Sequence, residues 1–177
     1  MSSNRKQALA SLHRGIERCR KCRLHAQRRH AVPGEGPPDA PLMLVGEAPG
    51  EQEDREGKPF CGRSGAFLDR LLQSIGVDRQ DVYITSSVKC RPPGNRKPRA
   101  DELERCREAW LEKQLAVVRP RLLVLLGSTA LRQVLGETGA MGDVRGKVLY
   151  RNGGAVLPTY HPAAGMRFPE LGRQMKA

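Results

Sequence analysis

Apolar residues recur along this chain in two alternating patterns, and the alternation predicts its architecture. Residues 3–18 carry Leu9, Leu12 and Ile16 at helical spacing, so an amphipathic helix opens the chain. The Pro- and Gly-rich "VPGEGPPDAP" (32–41) reads as a linker. "LMLVG" (42–46) is a short apolar run of the kind found in buried strands. Ser64 can then cap a helix with Phe67, Leu68, Leu71, Leu72 and Ile75 on one face, ended by Gly76. "DVYITSSV" (81–88) is a second strand, followed by the loop "KCRPPGNRKP". A charged helix runs from about Ala100 to Arg119, where Pro120 stops it. "RLLVLLG" (121–127) is a third strand, Ser128 can cap a short helix to Leu135, and "VRGKVLYRNGGAVLPTYHP" reads as a hairpin turning at Asn152, Gly153 and Gly154. Strands alternating with helices predict an α/β fold: a three-layer α/β/α sandwich on a central, mostly parallel four-stranded sheet, as one domain over residues 1–177.

In such sheets ligands bind beyond the carboxyl ends of strands. Three polar clusters fall there, at 47–65, 85–99 and 160–167. The first, "GEAPGEQEDREGKPFCGRSG" (46–65), is glycine-rich like a phosphate cradle, yet holds five acidic residues and three basic ones. It lacks the G-x-x-x-x-G-K-[ST] frame, and Glu47, Glu51, Glu53 and Asp54 would repel a phosphate. The loop suits a water or a developing cation better. Phe60 within it either stacks on a planar ligand or plugs the core, and sequence alone favours neither.

Charge adds a partner to this picture. The chain has 31 Lys and Arg against 19 Asp and Glu, a net charge of +12. The excess is clustered in residues 1–30 and in the acid-free "KCRPPGNRKPR" (89–99), which favours nucleic acid over a uniformly solvated basic surface. No apolar run approaches the roughly 20 residues that span a bilayer, and the N-terminal residues show no signal-peptide core. A soluble, cytoplasmic protein without a membrane partner is expected.

Four of the five cysteines point to a metal centre, the alternative being four unrelated buried thiols. Cys19 and Cys22 form C-x-x-C after the first helix, Cys90 follows the second strand, and Cys106 lies early in the charged helix. The settings "ERCRKCR" and "VKCRPP" are too basic for core strands. On spacing alone, four thiolates suit a tetrahedral zinc and an iron-sulfur cubane about equally. Cys61 stands apart and is expected as a small buried hydrophobe.

Together, "GEAPGEQEDREGKPFCGRSGAFLDRLL", "YITSSVKCRPPGNRKP" and "HPAA" resemble, in order and spacing, the motifs of the family 4 uracil-DNA glycosylases, the iron-sulfur branch of their superfamily. The resemblance runs from about Cys19 to Arg167. It implies a prokaryotic DNA-repair enzyme, monomeric and monofunctional, that flips uracil out of DNA and hydrolyses its N-glycosidic bond. It implies a [4Fe-4S] cluster on Cys19, Cys22, Cys90 and Cys106, structural in role. It implies a base pocket of Gly46, Glu47, Ala48, Phe60, Ser86 and His161, with Phe60 as stacking platform. His161 would donate to uracil O2 as the base leaves as an anion, and Glu47 would orient the attacking water, with Glu53 as second candidate. Ala48 stands where other branches carry an acidic residue. Lys89, Arg91, Arg96 and Lys97 would track the DNA backbone, with Met166 as a wedge into the duplex and Arg167 on a phosphate.

One position departs from the pattern: Ser86 stands where most family 4 enzymes have an Asn that reads the Watson–Crick edge of uracil. Strand alternation turns Thr85 and Ser87 to the other face, so neither replaces it. Broader base selection follows as an expectation, with hypoxanthine or xanthine admitted beside uracil. The rival is a member that binds damaged DNA with little or no catalysis. A superfamily branch that traps the abasic sugar through a loop histidine fits less well, because "KCRPPGNRKP" has no histidine.

Overall fold

A computed structural model describes residues 2–136 and 139–176. The apolar runs become strands β1 (Leu42–Gly46), β2 (Val82–Ser86) and β3 (Leu122–Leu126), joined by β4 (Leu149–Arg151) and β5 (Gly154–Thr159). The sheet has five strands in the order β2-β1-β3-β5-β4. Four of them are parallel and β4 alone is antiparallel, pairing with β5. The four-stranded expectation is thus corrected by one: the first arm of the hairpin also joins the sheet. Asn152 and Gly153, both at positive φ (49° and 79°), make the tight turn that lets it fold back.

Each face of the sheet is covered by helices. Met43, Val45, Tyr83, Leu123, Leu125 and Val156 pack with Leu9 of α1 (Ser2–Glu17), Val118 of α5 (Glu112–Val118) and Leu131 of α6 (Ser128–Leu135). On the other face Leu44, Val82, Ile84 and Leu126 pack with Phe60 and with Leu68 and Leu72 of α3 (Arg63–Ser74). The period of two along β1 divides its side chains between the two cores.

The remaining differences from the sequence reading have local causes. "VPGEGPPDAP" is no free linker, because Glu35 exchanges backbone hydrogen bonds with Ile84 in both directions (2.9 and 2.8 Å). It covers the outer edge of β2, whose amides would otherwise be unpaired. The acidic loop contains α2 (Glu51–Glu56), and α3 is capped at Gly62 rather than Ser64. Ile75 falls at the end of α3 and is exposed, not part of its apolar face. The charged helix is continuous but not uniform: α4 (Ala100–Cys106) passes through a π-helical turn, Arg107–Leu111, into α5. After α7 (Met141–Val144) and the hairpin, the C-terminal segment, for which the sequence predicts no helix, forms α8 (Pro162–Arg167) and α9 (Pro169–Lys176), each opened by a proline, the residue best tolerated at a helix start.

Gly65 is the tightest point of the fold near the acidic loop. A Cβ there would lie 1.8 Å from the Phe60 carbonyl oxygen, whereas one at Gly76 would meet nothing within 4 Å. Gly65→Ala is therefore expected to destabilise by about 3 kcal/mol or more, since backbone must move. Gly76→Ala should cost only about 1 kcal/mol, for its positive φ. Denaturant titration of both variants checks the contrast.

Candidate active site

The parallel register lines up Gly46 with Ser86 and Leu126 with Thr159, so the carboxyl ends of the strands finish together. Beyond them opens a cleft of about 720 Å³, roomy enough for a nucleotide. Its walls include Glu47, Ala48, Gly50, Glu53, Phe60, Ser86 and His161, and its rim Arg96, Lys97, Arg167 and Phe168. Three segments distant in sequence thus converge there, as the polar clusters suggested.

Glu47 leaves β1 directly into the cleft, and its carboxylate accepts a hydrogen bond from the Thr129 hydroxyl at the start of α6. Thr129 carries no signal in the sequence, where "GSTA" reads only as a helix start. Glu53 has a different position. Its Oε2 accepts the Gly50 amide (3.1 Å), and its Oε1 accepts the amides of Cys61 and Gly62 (both 3.0 Å). The buried carboxylate thereby satisfies orphan donors at the start of α2 and of α3. That occupation makes Glu53 an anchor of the loop and leaves Glu47 as the carboxylate with a free oxygen in the cleft. Cys61, expected buried, is exposed, because the turn presents its backbone and not its side chain to Glu53.

Phe60 is buried beneath the cleft, with its ring over Gly46, where a Cβ would come within 2.6 Å of it. It plugs the core, packing with Leu68 and Leu72, and it also lines the cleft. Its ring stacks on that of His161, with centroids 5.6 Å apart and planes at 28°. His161 caps α8, and its Nδ1 accepts the Ala163 amide at 3.2 Å. With Nδ1 an acceptor, the ring proton of the neutral form sits on Nε2. Burial lowers the His161 pKa below its ordinary value, and the nearby carboxylates of Glu47 and Glu53 offset part of that. At neutral pH the ring is an uncharged N–H donor.

Ser86 is buried at the end of β2 and lines the cleft. The hydroxyls flanking it are committed elsewhere, Thr85 to the Pro33 carbonyl (2.8 Å) and Ser87 to the Gly46 carbonyl (2.9 Å). Lys89 is not a phosphate contact. It is 1% exposed, with its Nζ donating to Thr85 Oγ1 and to the Ser86 carbonyl, both at 2.7 Å. Burial pushes its pKa down to about 8. Arg96 is also largely spoken for: its fork holds the buried carboxylate of Glu102 through two bonds, 2.9 and 2.7 Å, and so fixes the start of α4. Arg91 donates to Asn95, while Lys97 and Arg167 remain exposed at the rim. Met166 lies outside the cleft lining. The residue missed there is Phe168, half-exposed on the rim with the Arg167 guanidinium 5.4 Å over its ring.

Cys19, Cys22, Cys90 and Cys106 line one cavity on the far side of Val88 and Lys89. The π-helical turn carries Trp110, whose indole donates to Cys19 Sγ (3.2 Å), and Arg28 donates to Cys90 Sγ (3.0 Å). Burial pushes the Cys106 thiol up to about 12, a cost that bound metal would reverse.

An α/β sheet with a cleft at its carboxyl edge, an acidic first loop and a histidine at the last strand defines a class that comparison with known proteins identifies. The chain belongs to the uracil DNA glycosylase superfamily, whose family model matches residues 33–177. Within it the similarity is to the type-4 branch. The type-4 uracil-DNA glycosylase of Pyrobaculum aerophilum is 44% identical over 92% of this chain and 87% of its own length. That of Thermotoga maritima is 42% identical over 86% of this chain and 80% of its own. A type-5 uracil-DNA glycosylase of Pyrobaculum aerophilum is 38% identical over 75% of this chain and 65% of its own.

Removing the Glu53 carboxylate should expose its structural role. Glu53→Ala leaves three amides without their acceptor, at about 2 to 4 kcal/mol in total, while Glu53→Gln, which keeps one oxygen, should lose about half of that. Unfolding midpoints in denaturant measure both.

Proposed function

We propose that this chain removes uracil from DNA by hydrolysing its N-glycosidic bond, leaving an abasic site and no strand break of its own. The observation that carries the reading is the His161 ring, held neutral with its N–H on Nε2 and stacked beside Phe60 in the same cleft as Glu47. A base flipped from the stack, at a cost of a few kcal/mol, rests on Phe60. The C1′–N1 bond breaks with its electron pair going to the uracil ring, and the charge spreads to O2, where Nε2–H donates. A donor aimed at a growing oxyanion contributes about 10²- to 10³-fold in rate. Glu47, steadied by Thr129, orients the water whose oxygen bonds C1′ and whose proton passes to the carboxylate and solvent. Lys97 and Arg167 meet phosphates at the rim, with Phe168 beside them as the apolar wedge and Met166, outside the cleft lining, two residues before it. One copy of the chain supplies every group named, so we read it as a single domain acting as a monomer.

We also assign a [4Fe-4S] cluster to Cys19, Cys22, Cys90 and Cys106. Four thiols around a single cavity suit it. Among the described residues, no three Cys, His, Asp or Glu side chains are grouped closely enough to hold a metal ion, so the assignment rests on the shared cavity and on the resemblance to the iron-sulfur branch. When bound, the cluster supplies cross-linking of the segments bearing these cysteines, and no part of the hydrolysis.

Ser86 broadens base selection in this reading. Its hydroxyl cannot span both O4 and N3–H of uracil as an amide does, and Thr85 and Ser87 are already occupied. Oligonucleotides carrying uracil, hypoxanthine, xanthine or no lesion, cleaved with alkali after incubation, test the proposal. Breaks at uracil are expected, with weaker breaks at a second deaminated base, and Ser86→Asn should raise uracil excision and its preference about tenfold. Intact DNA affinity without lesion-specific breaks would instead select a non-catalytic binder of damaged DNA.

The pH profile tests His161 separately. Because the neutral ring donates, protonation on the acid side abolishes the Nδ1 acceptor and disrupts the cap. Its lowered pKa places that loss below the ordinary value of 6.5. Excision should therefore hold level as pH falls through 6.5 and decline only below it, a limb that His161→Gln removes.

A further inference from the structure

Phe60, the stacking face of the cleft, sits on backbone that its own sequence does not favour. Its φ is 46°, in the left-handed region that bulky residues rarely adopt. Surrounding structure must hold it there. Gly65 and Gly46 only make room, the first beneath its carbonyl and the second beneath its ring.

Glu53 takes the amides that follow, at Cys61 and Gly62, and the carbonyls of the turn itself are gripped by a single guanidinium. Arg79 lies in the helical turn Arg79–Asp81 just before β2. Its Nη2 donates to the Pro59 carbonyl (2.7 Å) and its Nη1 to the Phe60 carbonyl (3.1 Å). The same group is held from behind by two carboxylates. Nε and Nη2 reach Glu35 Oε1 at 3.0 and 2.7 Å, and Nη1 reaches Asp69 Oδ1 at 2.8 Å. Glu35 is itself stitched to the edge of β2, and Asp69 stands on α3. All three nitrogens of the fork are thus engaged, by groups from three separate segments.

We propose that Arg79 is a positioning residue for base stacking: it clamps the two carbonyls of the Pro59–Phe60 turn against Glu35 and Asp69, and so fixes the height and tilt of the Phe60 ring under the extruded base. The proposal rests on the reading of the cleft as a uracil pocket. An exposed ion pair alone would contribute little, but this pair is only the support for two bonds to the strained turn. Lysine cannot replace it, because one ammonium on a flexible stem cannot bridge two carbonyls and two carboxylates in fixed directions.

A double-mutant cycle tests this. Single-turnover excision from a uracil-containing single-stranded oligonucleotide is measured for the parent, Arg79→Gln, Phe60→Ala and the double variant, well below the lowest unfolding midpoint of the set. Arg79→Gln should slow excision about tenfold or more, the scale of a misplaced reacting group. On the Phe60→Ala background it should cost almost nothing further, because Arg79 acts through that ring. Losses that multiply in the double variant would overturn the proposal. Should Arg79→Gln fail to fold, Arg79→Lys carries the test: it keeps a cation between Glu35 and Asp69, and a parental rate with Lys overturns the clamp. A parental rate for Phe60→Ala would instead remove Phe60 from the pocket, and the proposal with it.

Discussion

The cleft depends on the register of the parallel sheet. Hydrogen bonds place Gly46 opposite Ser86 and Leu126 opposite Thr159, and each strand then releases its following residues at one edge. A slip of one residue would turn Ser86 toward the opposite core and bring Thr85 or Ser87 into the cleft. The slip is prevented by what those neighbours do. Thr85 bonds the Pro33 carbonyl, Ser87 bonds the Gly46 carbonyl, and Tyr83 is buried among Leu9, Leu111 and Leu123. Polar side chains therefore lock the strand end that brings Ser86 to the cleft.

Charge is divided along the same geometry. A protein of net charge +12 nevertheless keeps carboxylates at the centre of the cleft and exposes Lys97 and Arg167 at its rim. The acids there have distinct duties. Glu53 is saturated by three amides and holds α2 and α3 in place, while Glu47 keeps an oxygen toward the cleft. A polyanion is attracted to the rim, and the interior favours a developing cation.

Much of this was legible in the sequence. The runs at 42–46, 82–86 and 122–126 are continuous and largely apolar because both faces of those strands are covered in whole or in part. The convergence of the three polar clusters followed from the topology of such sheets. What stayed hidden is set by tertiary contact. A lysine in "VKCRPP" looks like any basic loop residue until Thr85 and the Ser86 carbonyl close over its Nζ. Arg96 looks free until Glu102, six residues on, takes its fork. The C-terminal helices were missed because "HPAAGMRFPELGRQMK" is polar and carries two prolines, which read as breaks but stand at helix starts.

Lys89 also sharpens the question that Ser86 raises. Its Nζ holds the backbone of Ser86 and the hydroxyl of Thr85 from below, so the strand end is fixed whatever side chain stands at position 86. The flanking hydroxyls cannot swing round to compensate, being committed to carbonyls. In the proposed reading, selection at the Watson–Crick edge is concentrated in one short side chain on backbone held by Lys89. On that reading rigidity makes the missing amide consequential: in a looser strand Thr85 or Ser87 could recover the lost hydrogen bond, and here both are held by other carbonyls.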